Sequence, residues 1–306
     1  MTPVTTFLSY NPTGLSGHKC DWLNSLCETV KVTYVAIQEH FRKSKTIDKF
    51  FKDQFKNYNS YVIPGYREAG QNRGRPIAGI AQLSKSDVAV RKDRVMCDSK
   101  RVQAQVLNFA TTRLLWINAY LPSDPHTGPA VFDETELLSV LSDIEAVLDN
   151  TQFDDVLISA DMNYDMSRQT GHAVTVRRFI DRLNLCSVWE SHPIDFTHIH
   201  TDNKAVSTLD HFICNARLLE VVTDCDVMHL GDNTSRHSPI VLKLNLGVLP
   251  VKTRTNPVRA KRPAWYKATE EETNNFTHIL NEKLAAVPVP GTATPGTATC
   301  STCWGR

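Results

Sequence analysis

Val156-Leu157-Ile158-Ser159-Ala160-Asp161-Met162-Asn163 is an apolar run that stops in two polar residues one position apart. A run this short and this apolar reads as a strand buried on both faces. Amphipathic segments flank it. Ahead of it, Asp133 with Glu136 resembles a capping box opening a helix with apolar positions Leu137, Leu141, Ile144 and Leu148. Behind it, after a loop, a helix is expected near Ala173 to Leu183. A buried strand set between helices marks the α/β class.

Working outward, the alternation continues. Val4 to Tyr10 is β-rich and ends at the turn signal Asn11, Pro12 and Gly14. Ser16 stands as an N-cap for a helix running to about Val30, with Trp22, Leu23, Leu26 and Cys27 facing inward. Val32 to Gln38 reads as a buried strand and Ile47 to Phe55 as a second helix. The middle is all β: Tyr61–Ile63, Ile77–Leu83, Val88–Arg91, Gln103–Phe109 and Leu114–Tyr120. Three strand-like runs follow at Thr208–Cys214, Leu219–Val227 and Pro239–Leu244. This order predicts two sheets packed face to face with helices outside.

After Leu246 the character changes. Residues 1–246 read as one domain and 247–268 as a linker carrying Lys252, Arg254, Arg259, Lys261 and Arg262. Within 269–306, a helix from Thr269 to Leu284 precedes a tail rich in Gly, Thr, Ala and Pro that cannot bury a core and is expected to be disordered. The whole chain has 306 residues and a formal net charge of only +1, so any affinity for a polyanion must come from a local patch. No stretch approaches the roughly 20 apolar residues of a membrane span, and a soluble intracellular protein is expected. Of eight cysteines, Cys300 and Cys303 form a lone C-x-x-C, which is half of a zinc site.

Several polar side chains stand at the ends of apolar strands, where catalytic groups are commonly displayed. Glu39 ends Val35-Ala36-Ile37-Gln38. Asn118 and Tyr120 close Leu114–Tyr120, and the period of two puts them on one face. Asp161 and Asn163 follow the opening run, Asp210 interrupts Leu209–Ile213, and His237 precedes the last strand. Each has a bland reading. Glu39 reads as a cap or turn residue, Asp161-Met162-Asn163 as an Asx-rich turn, Tyr120 as a half-buried aromatic, and Asp210 with His237 as a structural pair. Their conjunction favours chemistry.

In this order the motifs Leu8-Ser9-Tyr10-Asn11, Ile37-Gln38-Glu39, Asn118-Ala119-Tyr120-Leu121-Pro122, Ser159-Ala160-Asp161-Met162-Asn163, Leu209-Asp210-His211-Phe212 and Ser235-Arg236-His237-Ser238-Pro239 resemble the endonuclease/exonuclease/phosphatase superfamily. The resemblance covers about residues 4–246 and implies a four-layered α/β/β/α sandwich. It implies Mg²⁺, or Mn²⁺, held by Glu39 with Asn11 close by. Asp161 would orient or deprotonate the attacking water, Asn163 would hold that water or the phosphate, and Asp210 would fix a charged His237. Tyr120 would contact the phosphate, with Asn118 and Arg236 on the substrate. Arg236 departs from the pattern, since the family has Asp there.

Gln38-Glu39-His40, Gly74-Arg75-Pro76-Ile77-Ala78-Gly79, Asp195-Phe196-Thr197-His198 and Asp232-Asn233-Thr234-Ser235 further resemble the endonuclease of LINE-type (non-LTR) retrotransposons. Arg262–Ala268 looks like the connector to a reverse transcriptase in such proteins. That likeness implies a monomeric DNA-nicking enzyme, acting in the nucleus as part of a larger polyprotein. Two alternatives stay open: an abasic-site repair nuclease, and a remnant impaired by Arg236.

Overall fold

The computed structural model describes residues 4–67, 73–123, 134–169, 171–201, 205–248 and 268–285. The chain divides into two compact units, residues 1–262 and 263–306. In chain order the first holds β1 (Thr5–Tyr10), α1 (Gly17–Val30), β2 (Tyr34–Ile37), α2 (Ile47–Gln54), β3 (Tyr58–Ile63), β4 (Ile80–Lys85), β5 (Arg91–Val95), β6 (Val102–Asn108), β7 (Arg113–Tyr120), α3 (Thr135–Asn150) and β8 (Asp155–Asp161). There follow α4 (Gly171–Arg182), β9 (Leu185–Ser187), β10 (His198–Ile199), β11 (Val206–Ser207), β12 (Asp210–Asn215), α5 (Ala216–Leu219), β13 (Val222–Val227) and β14 (Ile240–Leu244). The second unit contributes α6 (Glu270–Ala285), whose start is a capping box: Thr269 Oγ1 accepts from Glu272 N–H, and the Glu272 carboxylate accepts from Thr269 N–H.

Two six-stranded mixed sheets form, in the orders β13-β14-β1-β2-β4-β3 and β5-β6-β7-β8-β12-β9. Alternation along each strand divides the hydrophobic side chains among three layers. In the second sheet Leu115, Ile117, Ala119, Val156, Ile158 and Ala160 face outward under α3 and α4. In the first, Leu8, Tyr10, Val35, Ile37, Ala81 and Leu83 face outward under α1 and α2. Phe7, Tyr34, Trp116, Leu157 and Phe212 fill the layer between the sheets. The α/β/β/α sandwich follows: most of these strands carry apolar residues on both faces, so each sheet is covered twice. Trp116 anchors the middle layer. It is fully buried, edge-on to Phe7 at 5.7 Å and Tyr34 at 5.5 Å, with its indole N–H donating to Ser159 Oγ at 3.1 Å.

Most elements lie where the periodicity predicts them, and Ser16 does cap α1 by accepting from Lys19 N–H at 3.2 Å. Three differences have physical causes. The strand expected at Val88–Arg91 is instead β5, Arg91–Val95, a charged edge strand held only by pairing with β6. Charged edges resist further pairing but do not look like strands in sequence. The run from Ile77 is broken because Ala78 and Gly79 take positive φ (53° and 90°), so β4 starts at Ile80. Leu219–Val227 splits into the end of α5 and β13. At α3 the described N-cap is Glu134, and Glu136 pairs with Arg101 at 2.7 Å rather than closing a capping box. Asp133, the linker over 249–267 and the tail with Cys300 and Cys303 lie outside the described residues.

Candidate active site

β7, β8 and β12 are adjacent, β7 parallel to β8 and β12 antiparallel to it. Their register places Tyr120 opposite Asp161 and Asp161 opposite Asp210, one row across three strands. The row belongs to the face that carries Trp116, Leu157 and Phe212 deeper in. It therefore sits where the gap between the sheets opens, at the carboxyl ends of β7 and β8, the usual place for a site in an α/β sheet. Across the gap the carboxyl ends of β1 and β2 bring Asn11 and Glu39, and the loop before β14 brings His237.

These side chains form one hydrogen-bonded cluster. Tyr120 Oη–H donates to Glu39 Oε1 at 2.6 Å. Asn11 Nδ2 donates to Glu39 Oε2 at 3.0 Å and to Asp161 Oδ2 at 2.8 Å, tying the two sheets' carboxylates together. Asn163 N–H donates to Asp161 Oδ1 at 2.9 Å. His237 Nδ1 meets Asp210 Oδ2 at 2.8 Å, and its Nε2 points at Asp161 Oδ2, 4.0 Å away. Asp161, Asp210 and Asn11 are buried to about 1% exposure or less, so the cluster is held by protein rather than by water.

Burial works against the charge on His237, but Asp210 and then Asp161 outweigh it and raise the imidazole to about 9, leaving it protonated at neutral pH. Burial raises Asp161 as well, opposed by the His237 charge and reinforced by Asp210. Burial, with the opposed carboxylate of Glu39, pushes the Tyr120 phenol far up, so it stays a neutral donor. His198 packs at a tilt against His237, ring centroids 4.6 Å apart; burial and that neighbouring cation lower it to about 4, and it is neutral.

Glu39 depends on a strained corner. Glu39 and Phe41 have φ of 49° and 54°, a conformation costing about 1–3 kcal/mol for a non-glycine residue. Backbone bonds hold it: Gly14 N–H to Glu39 O, His40 N–H to Gly79 O and Phe41 N–H to Ala78 O. Gly79 is required here, because a Cβ would lie 2.5 Å from the His40 ring.

The structure brings together Glu39, Tyr120, Asp161, Asp210 and His237, with Asn163 and Arg236 on the wall of the same cleft. Two further residues are committed to protein partners. Asn118 shares a face with Tyr120, but it is fully buried. It donates to Ile37 O and Ala81 O and accepts from Gln38, so it braces the sheets and touches no substrate. Asn11 accepts from Thr13 N–H at 2.8 Å through its side-chain oxygen and turns its amide N–H to the carboxylates. Three positioning residues were not singled out for the site. Thr197 Oγ1 accepts from the N–H groups of Leu209 and Asp210. Asn233 donates to His237 O, and Ser235 Oγ–H to Asn11 O. All three lie in motifs that sequence likeness had marked, but no local signal gives their partners.

The donor set fits a hard divalent cation. Asp161, Asp210 and His237 bring possible ligand atoms within 4.8 Å of one another, Glu39 is tied to Asp161 through Asn11, and Asp210 Oδ1 is buried with no hydrogen-bond partner among the described residues. Oxygen ligands and surplus negative charge are what Mg²⁺ takes.

No protein-family model matches the chain, and no curated protein sequence matches it. Solved structures do match, and they share this fold with endonuclease/exonuclease/phosphatase proteins. An AP endonuclease from Leishmania major superposes with a TM-score of 0.61 at 16% identity, over 79% of this chain and 87% of that one. An endonuclease/exonuclease/phosphatase family protein from Leptotrichia buccalis gives 0.57 at 16%, over 78% and 99%. The endonuclease domain of TRAS1, a telomere-specific non-LTR retrotransposon, gives 0.58 at 14%, over 80% and 99%. What is shared at these identities is the fold.

Proposed function

We propose that this chain is a metal-dependent phosphodiester hydrolase that nicks DNA. One observation carries the reading: Tyr120, Asp161 and Asp210 form a single row, with a protonated His237 at one side and Glu39 across the gap. Glu39 would hold the divalent cation, Mg²⁺ or Mn²⁺, with Asn11 keeping its carboxylate turned to Asp161. When bound, the cation supplies positive charge against the negative charge that grows on the phosphate. Asp161 accepts the proton of the attacking water, and Asn163 N–H keeps that carboxylate aimed. His237, charged and fixed by Asp210, donates from Nε2 to a phosphate oxygen. Tyr120 donates its hydroxyl at the same phosphate or at the leaving oxygen.

The finer reading is an endonuclease of a retrotransposon protein, working in the nucleus beside a reverse transcriptase. It is supported by the LINE-like motifs around Glu39, Arg75, Thr197 and Asn233 and by the likeness to the TRAS1 domain. The likeness to an AP endonuclease favours a second reading, abasic-site cleavage. Supercoiled plasmid tests the main claim: nicking should require Mg²⁺ or Mn²⁺ and vanish in Glu39→Ala. Metal-independent nicking, or none, sinks it; none in the wild type with recovery in Arg236→Asp identifies an impaired copy. A duplex with one abasic site separates the two substrates, since strong preference for it would replace the intact-duplex reading.

A further inference from the structure

Two exposed arginines on the cleft, Arg75 and Arg236, pair with no carboxylate among the described residues. Each is held in place without neutralisation. The Arg75 guanidinium lies over the Phe41 ring at 4.0 Å, two residues beyond Glu39. Its loop is pinned by the backbone bridge between Tyr66 and Ile77. Arg236 donates to Thr201 Oγ1 at 2.5 Å, and its carbonyl accepts from Ile199 N–H. The third arginine on the cleft, Arg168, is different, because its charge lowers the Asp165 carboxyl three residues away, after the effects of that carboxyl's burial and hydrogen bonds.

The order of strands sets which side each comes from. Arg75 precedes β4 and Arg236 precedes β14, and both strands start at the edge of the first sheet where Glu39 stands. β4 and β14 are three places apart, with β1 and β2 between them. The two arginines therefore enter the cleft from opposite sides of the strands that end in Asn11 and Glu39.

We infer that Arg75 and Arg236 clamp backbone phosphates on opposite sides of the bond being cut, so the cleft takes an oligonucleotide rather than a mononucleotide or dinucleotide ester. This rests on the nuclease reading above and adds two phosphate contacts to its substrate. The test is binding, read apart from cleavage: fluorescence anisotropy of a labelled 12-base-pair DNA duplex in EDTA, from 50 to 200 mM salt. Arg75→Gln and Arg236→Gln should each lower the log–log salt slope by about 1, and together by about 2. Arg182→Gln on α4, which removes an ion pair with Glu145 on α3, should leave it unchanged. A deoxydinucleotide should compete no better than inorganic phosphate. Slopes equal to wild type in both arginine variants, or a dinucleotide that competes as well as the duplex, overturn the clamp. Cleavage with unchanged slopes sinks the clamp alone. Lowered slopes without metal-dependent cleavage overturn the nuclease reading, and with it the placement of the two contacts about a cut bond.

Discussion

On the floor of the cleft, Glu39, Asp161 and His237 each have a named protein partner, and the residues that hold them are themselves bonded or buried. On the rim, Arg75 and Arg236 stand exposed with one aromatic face or one hydroxyl each. The difference tracks the backbone beneath. The floor stands on strand ends inside two sheets, so its geometry is set before substrate arrives, which is where electrostatic preorganisation is worth most. The rim stands on loops, keeps its charge solvated, and trades precision for reach. A defect in the floor should therefore stop chemistry, and a defect in the rim should weaken capture.

The largest expected break is Asp161→Asn, which keeps the shape of a floor residue but removes its basicity and one of its two acceptor oxygens. Plasmid nicking should fall about a thousandfold in protein that still folds; retained activity would remove Asp161 from the chemistry. Next is Asp210→Asn. With its partner in place His237 titrates near 9, so the pair's stabilisation is fully present below the unfolded value near 6.5 and is lost as pH rises through about 9. The variant should lose about 3 kcal/mol at pH 6 and much less at pH 10, and the His237 ring signals in NMR should titrate near or below 6.5.

Gly79→Ala probes the corner that carries Glu39. A side chain at φ 90° meeting His40 at 2.5 Å should cost about 1–3 kcal/mol and lower nicking as well, because the His40 and Phe41 backbone would move. Asn118→Leu sharpens the contrast from the other side. It should cost about 1–3 kcal/mol by leaving Ile37 O and Ala81 O without a donor, yet leave KM unchanged in the folded fraction. A raised KM at unchanged stability would return Asn118 to the substrate. Smallest is Arg236→Asp on the rim, expected to weaken nicking less than tenfold, about one phosphate contact's worth. A hundredfold gain would instead make Arg236 the reason for an impaired site.

Much of the floor was legible because its signals are local. An apolar run ending in Asp161, another ending in Glu39, and the period of two along Leu114–Tyr120 need only neighbouring residues to be read. The same period misled at Asn118. Alternation assigns a face, but depth along that face depends on where the opposite sheet ends, and two residues of recession turned a candidate contact into a brace between Ile37, Ala81 and Gln38. β5 escaped because charged edge strands are defined by their partner, and β4 began late because of positive φ at Ala78 and Gly79.

By itself, then, the order of buried strands and helices determined the α/β/β/α class and the polar residues that stand at strand ends, since both follow from burial and chain periodicity. The tertiary structure alone decided which of them meet. The register that aligns Tyr120, Asp161 and Asp210, the turn of Asn11 that gives its N–H to the carboxylates, and the opposite sides from which Arg75 and Arg236 enter the cleft all depend on pairings between residues tens to hundreds of positions apart. Loop-closing and sheet order set those pairings, and no local pattern encodes them.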